Sequence, residues 1–158
     1  MASTLSSVQV AANQPPVVGY SAGGDITVRF EYNLAAALVV DDILYMGDLP
    51  AGHLPVDLMV DSDDLDTGTA IVLQAGILNA GKTDIDTTAS GGGEWLGSST
   101  VAQAGGMARM AGKAMSRVVV NDLVDRPIGI KVSTAPGTGA TSGKVGLTLT
   151  YRPSVRNA

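Results

Sequence analysis

Between residues 25 and 34 the chain alternates without a break. Ile26, Val28, Phe30, Tyr32 and Leu34 occupy one set of positions; Asp25, Thr27, Arg29, Glu31 and Asn33 occupy the other. A period of two puts every apolar side chain on one face of a strand and every polar one on the opposite face, so the segment belongs in a sheet with one buried and one wet side. The same period predicts a strand over residues 54–61 with Leu54, Val56, Leu58 and Val60 inward. It recurs at Ile128, Ile130 and Val132, and again at Val145, Leu147, Leu149 and Tyr151. Residues 69–77 fit with Ile71, Leu73 and Ile77 inside, and residues 42–49 predict a further strand closed by the turn Pro50-Ala51-Gly52. Helix is scarce. Residues 34–40 have room for a turn or two, and Met107, Met110, Ala114, Met115 and Val118 have helical spacing that Gly105, Gly106 and Gly112 weaken. Short strands separated by Gly, Pro and Asp turns predict an all-β, antiparallel sandwich or barrel.

The 158 residues suit one folded domain. Residues 1–24 are rich in Ser, Ala and Gln, and their short apolar stretches (Val8 with Val10, Val17 with Val18) each suit an edge strand, the alternative being a partly ordered arm. We therefore divide the chain into an N-terminal arm, 1–24, suited to contacts between subunits, and a β-sandwich domain, 25–158. Thirteen of the fifteen acids are Asp and two are Glu, the balance of a loop-rich β-domain, since Asp favours turns and Glu favours helices. Cysteine is absent, which excludes disulfide scaffolds, thiolate metal sites and Cys nucleophiles. A net charge of −5 argues against a nucleic-acid partner. The start of the chain lacks the basic and apolar regions of a secretory signal, and the longest uncharged apolar run, residues 34–40, is far short of the roughly 20 residues of a membrane span.

Two motifs suggest chemistry. Residues 76–83, Gly-Ile-Leu-Asn-Ala-Gly-Lys-Thr, match the phosphate-binding pattern GxxxxGK[ST]. Such a loop needs a helix directly behind it. Asp84, Asp86 and the glycines at 91–93 make a poor helix and an acidic neighbour for phosphate, so a hairpin turn at Asn79-Ala80-Gly81 explains the residues better than a nucleotide site. The acidic run Asp61-Ser62-Asp63-Asp64-Leu65-Asp66 supplies oxygen ligands for a hard cation, but Asp66 stands where an EF-hand needs Gly and no closing Glu follows. We expect no metal and no cofactor. Catalysis has little support: His53 is the one histidine, placed in a turn and expected at the surface.

Contacts with other chains are a better prospect. Met107, Met110 and Met115 lie in a Gly/Met segment whose side chains suit either the underside of the sheet or an adaptable interface. Trp95 reads as core cap or interface anchor. Val8 and Val10 are the arm's candidates. Eight Asp and no base fall between residues 41 and 66, while five bases fall between 109 and 131. That segregation fits two wet faces of one molecule, or complementary patches on neighbouring subunits.

Three stretches together resemble a known family. Residues 47–58, Gly-Asp-Leu-Pro-Ala-Gly-His-Leu-Pro-Val-Asp-Leu, run into the acidic 61–66; residues 99–106, Ser-Thr-Val-Ala-Gln-Ala-Gly-Gly, follow; residues 132–141, Val-Ser-Thr-Ala-Pro-Gly-Thr-Gly-Ala-Thr, lead into Leu147-Thr148-Leu149-Thr150-Tyr151. These are similar to the small structural proteins that tailed bacteriophages encode among their head genes, the capsid decoration (cement) proteins. The resemblance covers roughly residues 25–152 and consists of structural turns. It implies a jelly-roll-like β-sandwich, assembly in several copies, often as trimers at local three-fold positions, and no catalysis. The Gly-Lys-Thr turn and the Met-rich segment have no place in the pattern. The expectation is a virion protein on the outer capsid surface, assembled in the host cytoplasm, that binds the major capsid protein and bridges its subunits. A tail, collar or fibre-base component is the alternative within that class, and a nucleotide-binding protein the alternative outside it.

Overall fold

The computed structural model describes residues 2–15, 24–88, 94–110 and 124–154. Among them nine strands form two facing sheets: β1 (Thr4–Ser6), β2 (Ile26–Asn33), β3 (Ile43–Leu49), β4 (His53–Ser62), β5 (Val72–Ile77), β6 (Glu94–Ser99), β7 (Gly106–Arg109), β8 (Arg126–Thr134) and β9 (Lys144–Pro153). The five-stranded sheet runs β1-β3-β8-β5-β6 and the four-stranded sheet β2-β9-β4-β7. Successive strands change sheet at every step except β5 to β6. The fold is the two-sheet, nearly helix-free β-architecture expected, with one departure: β1 runs parallel to β3, while every other strand pair is antiparallel.

The alternating segments build the core. Val145, Leu147, Leu149 and Tyr151 of central β9 face Ile128, Ile130 and Val132 of central β8, all at 0–1% exposure. Phe30, Leu58, Leu73 and Trp95 join the same cluster. Burying a large apolar side chain in such an interior contributes about 1.5–3 kcal/mol. β3 lacks the alternation because both its faces are covered: Leu44 and Met46 enter the main core, while Ile43 and Tyr45 form a second cluster outside the sheet with Leu78 and Ile85, and Val10 packs against it. Gly129 of β8 lies beneath that outer cover. A methyl there would sit 2.5 Å from the Leu44 carbonyl oxygen and 2.8 Å from Leu78 Cδ1.

The arm departs from the expected strands. Val8 and Val10 belong to a single helical turn, α1 (Val8–Ala11), capped by the Ser7 hydroxyl, and the strand precedes it at Thr4–Ser6. Ser7 is buried because its hydroxyl donates to the Met46 carbonyl and its amide to the Tyr45 carbonyl. Gln9 then bridges to the other sheet: its side-chain oxygen accepts from Glu31 N and its amide nitrogen donates to the Arg29 carbonyl, as a neighbouring strand would. Val17 and Val18 lie outside the described residues.

Other local expectations change as well. In β4 a bulge at Val56, between the pairs Pro55–Tyr151 and Asp57–Thr150, shifts the alternation by one residue. Leu58 and Val60 face inward as expected, but upstream of the bulge His53 and Pro55 are buried and Val56 is 39% exposed. His53 is therefore no surface residue; its ring stands edge-on to Tyr151 at 5.4 Å and its Nδ1–H donates to the Ala51 carbonyl at 2.8 Å. Residues 34–40 contain no helix, and Met107 lies in strand β7 instead of a helix because Gly106–Arg109 pairs with Met59–Ser62 of β4. Leu149→Ala should cost about 2–5 kcal/mol in chemical denaturation through the cavity it opens. Gly129→Ala should cost about 1–3 kcal/mol by overpacking against a carbonyl that the strand pairing holds in place.

Candidate interaction surface

The four Asp of residues 61–66 do not converge. Asp61 pairs with Arg29 at 2.6 Å, the Asp63 carboxylate accepts from Lys144 N, and the Asp64 carboxylate accepts from Asp66 N. Asp66 itself is 1% exposed and turns inward. Its Oδ1 accepts from the amides of Gly68 (2.9 Å) and Thr138 (3.1 Å), and its Oδ2 from those of Ala70 (2.8 Å), Ile71 (3.0 Å) and Gly137 (3.1 Å). These amides, Thr138's foremost, hold its carboxyl well below the usual carboxylate range against the opposing effect of burial. The carboxylate faces donors on all sides, which is a structural arrangement. Among the described residues no group of three or more His, Cys, Asp or Glu is placed to hold a metal ion.

Asp66 joins the β4–β5 connection to the β8–β9 connection at one pole of the sandwich. Thr67 N donates to the Thr138 carbonyl, and Ala140 N to the Leu65 carbonyl. The loop at residues 34–42 packs alongside: Leu34 N donates to Gly143 O, Asp41 N to Val132 O, and a side chain on Gly139 would meet Ala37 Cβ at 2.8 Å. The loop at 134–143 is thus tied down along much of its length. Within the apolar run 34–40, Leu34 and Leu38 enter the core while Ala35, Ala36, Ala37, Val39 and Val40 are exposed. Exposed apolar residues grouped in this way are a candidate contact surface. By sequence the run suits a turn or two of helix and is too short for a membrane span. The better signal is that seven consecutive apolar residues after a strand cannot all turn inward.

The other candidates are dispersed. Val8 is 45% exposed on α1, Val10 is partly covered on the outer cluster, Met107 is 72% exposed on β7, and Met110 packs partly against the core. Trp95 is 2% exposed in the core, so it caps the interior and does not anchor a surface. Met115 lies outside the described residues.

The Gly-Lys-Thr motif forms a hairpin. Leu78 pairs with Ile85, Asn79 N donates to the Asp84 carbonyl, and the Asn79 side-chain oxygen accepts from Thr83 N. No helix follows over the described residues 84–88, and Lys82 Nζ sits 3.9 Å over the Tyr45 ring. The amides of Asn79, Lys82 and Thr83 are engaged in the turn.

The segregated charges meet within the chain. Asp57 pairs with Arg109 at 2.6 Å, and Arg29 bridges Asp61 and Glu31. Lys131 reaches Asp84 (2.8 Å) and Asp41 (3.2 Å), and Lys144 reaches Glu31 (2.9 Å). Arg29 crosses to Asp61 over Gly146, where any side chain would occupy the path.

No family model matches the sequence, and no curated protein matches it. Solved structures do. A chain in the capsid of Ralstonia phage GP4 superimposes with a TM-score of 0.83 at 34% identity, over 96% of this chain and 99% of that one. A chain in the capsid asymmetric unit of cyanophage Pam1 has the same fold, with a TM-score of 0.64 at 23% identity over 90% of this chain and 96% of that one. The two-sheet body with its capsid relatives defines a viral structural protein, and the chain belongs to the phage virion structural family represented in the Ralstonia phage GP4 capsid.

Asp66→Asn would turn an amide NH2 toward backbone donors and should lower Tm by about 5–10 °C at neutral pH in calorimetry. Because the folded-state pKa is depressed, the stability that Asp66 contributes is complete above the ordinary carboxylate pKa and is lost as pH falls through the folded value. The Tm gap between wild type and variant should therefore narrow progressively below about pH 4.

Proposed function

We propose that this chain is a noncatalytic capsid decoration protein that sits on the outer surface of the head and bridges neighbouring major capsid subunits. The observation that carries the reading is the match, over nearly the full length of both chains, to a component of an assembled phage capsid. The turns at residues 47–58, 99–106 and 132–141, which resemble those of decoration proteins, support it. The groups that catalysis would draw on are engaged in packing: His53 lies against Tyr151, and Asp66 is enclosed by backbone amides. A decoration protein works by multivalency, since many modest contacts repeated over a lattice restrain the shell without any single tight site. Exposed Val8 in the 1–24 arm and Met107 on β7 supply apolar contacts to that shell, and the chain works as a homo-oligomer, with a trimer fitting local three-fold positions.

Mixing the purified chain with heads that lack it tests the reading. Co-sedimentation, outer-surface density in cryo-EM and increased resistance of the heads to heat-induced genome release are the expected results. Density confined to the tail, collar or fibre base, or no binding to heads, would overturn it.

A further inference from the structure

The arm leaves space beneath it. Between α1 and the strands β2 and β3 lies a cleft of about 150 Å3. Small-molecule sites occupy roughly 300–1,000 Å3, so this one suits a single long side chain better than a free ligand. Pro15, Val28 and Phe30 give the cleft apolar walls, and Asn13, Gln14 and Asp48 give it polar ones; no residue that lines it is basic. Asp48 reaches the cleft through an irregularity in β3. Residues three apart on a regular strand face opposite sides, but the pairing of β3 with β8 shifts register between Tyr45 and Gly47. The shift brings Asp48 round to Tyr45, whose hydroxyl donates to both carboxylate oxygens at 2.8 Å.

Asp48 is the one charge lining the cleft, and it lacks a counter-charge. Among the described residues its hydrogen-bond donor is the Tyr45 hydroxyl and it makes no ion pair, whereas Arg29, Arg109, Lys131 and Lys144 are each committed to other acids. Lys82 stands over the Tyr45 ring and forms no ion pair with Asp48. Residues 16–23, which continue the chain from Pro15, contain no base. We propose that the cleft is a socket for a lysine or arginine side chain of the capsid subunit that this chain binds, with Asp48 as the counter-charge. A basic side chain matches both kinds of wall: its methylenes lie along Pro15, Val28 and Phe30, and its cationic end meets Asp48 and the side-chain oxygens of Asn13 and Gln14. Basic side chains seated in such pockets, arginine above all, are common anchors of protein interfaces. The same helical turn carries Val8, 45% exposed, which sets an apolar contact beside the socket. This inference rests on the decoration reading and names the partner chemistry that the arm's side of the molecule would recognise.

The test has two parts. In the first, acetyl-arginine N-methylamide is titrated into the full free chain and followed by amide NMR shifts. Acetyl-norvaline N-methylamide, which keeps the stem and lacks the guanidinium, is the control. The arginine compound alone should give saturable shifts around Asn13, Gln14, Gly47 and Asp48, and Asp48→Asn, which can still accept from Tyr45, should weaken its binding at least about tenfold. A chain whose own base already holds Asp48 would give no shift; that result overturns the proposal, as do equal shifts with the norvaline compound or binding unchanged in Asp48→Asn. In the second part, heads lacking the chain are mixed with each variant. Asp48→Asn should weaken co-sedimentation at least about tenfold and Asp48→Lys should abolish it, with thermal midpoints close to wild type. Glu94→Gln, which removes the same charge on β6, should bind like wild type. If wild type binds heads and both Asp48 variants bind equally well, the socket proposal fails while the decoration reading stands. If the free chain takes the arginine compound through Asp48 but wild type does not bind heads, the decoration reading fails and the cation socket stands.

Discussion

A carboxylate buried in a β-sandwich is costly unless dipoles replace the water it has lost. Asp66 meets that condition with amides from two connections, one linking β4 to β5 and the other linking β8 to β9. Each connection passes from one sheet to the other, so the carboxylate clamps both crossings at the same pole. The loop at residues 34–42 is built onto that clamp through hydrogen bonds to Gly143 and Val132. Since backbone alone satisfies the charge, no basic side chain is needed nearby. The surface above Asp66 is free to be neutral.

The open sides of the sandwich are managed by side chains acting in place of backbone. Gln9 occupies the β2 edge with one amide group, and Ser7 binds β3 through its hydroxyl and its N–H. Asp42 accepts from Ser3 N at 2.8 Å and Val39 N at 2.9 Å, tying the arm and the 34–42 loop to one carboxylate. The two outer faces consequently differ. The four-stranded sheet presents the ion pairs of Arg29, Asp61, Glu31 and Lys144, already matched within the molecule. The five-stranded sheet is covered in part by α1 and the hairpin at residues 77–86. Exposed apolar residues among those described include Val39 and Val40 at the pole, Val8, Val56, Met107 and Val124.

Strands with one wet face were legible because alternation reports the environment directly. β2, β8 and β9 turn in the residues their periodicity names. β4 was half legible: the bulge at Val56 is a property of its pairing with β9, and no local pattern marks it. β7 was misread because Met107 and Met110 have helical spacing in a segment whose pairing with β4 overrides it. His53 and Trp95 carry polar atoms that permit either surface or core, and packing neighbours decided both. Asp66 looked like its three acidic neighbours, since the donors at Gly137 and Thr138 that distinguish it lie 71 and 72 residues away.

By itself the sequence determined the β-class, the identity of most core residues, the lack of thiol chemistry and a turn pattern similar to that of phage head proteins, because periodicity and composition record local geometry and solvent contact. Tertiary structure decided which acids are paired, which are buried (Asp42 and Asp66), and where the described surface lacks charge. Those properties depend on groups from different sheets meeting in space. Residues 34–40 and 132–143 became one neutral pole only when the crossover connections closed over Asp66.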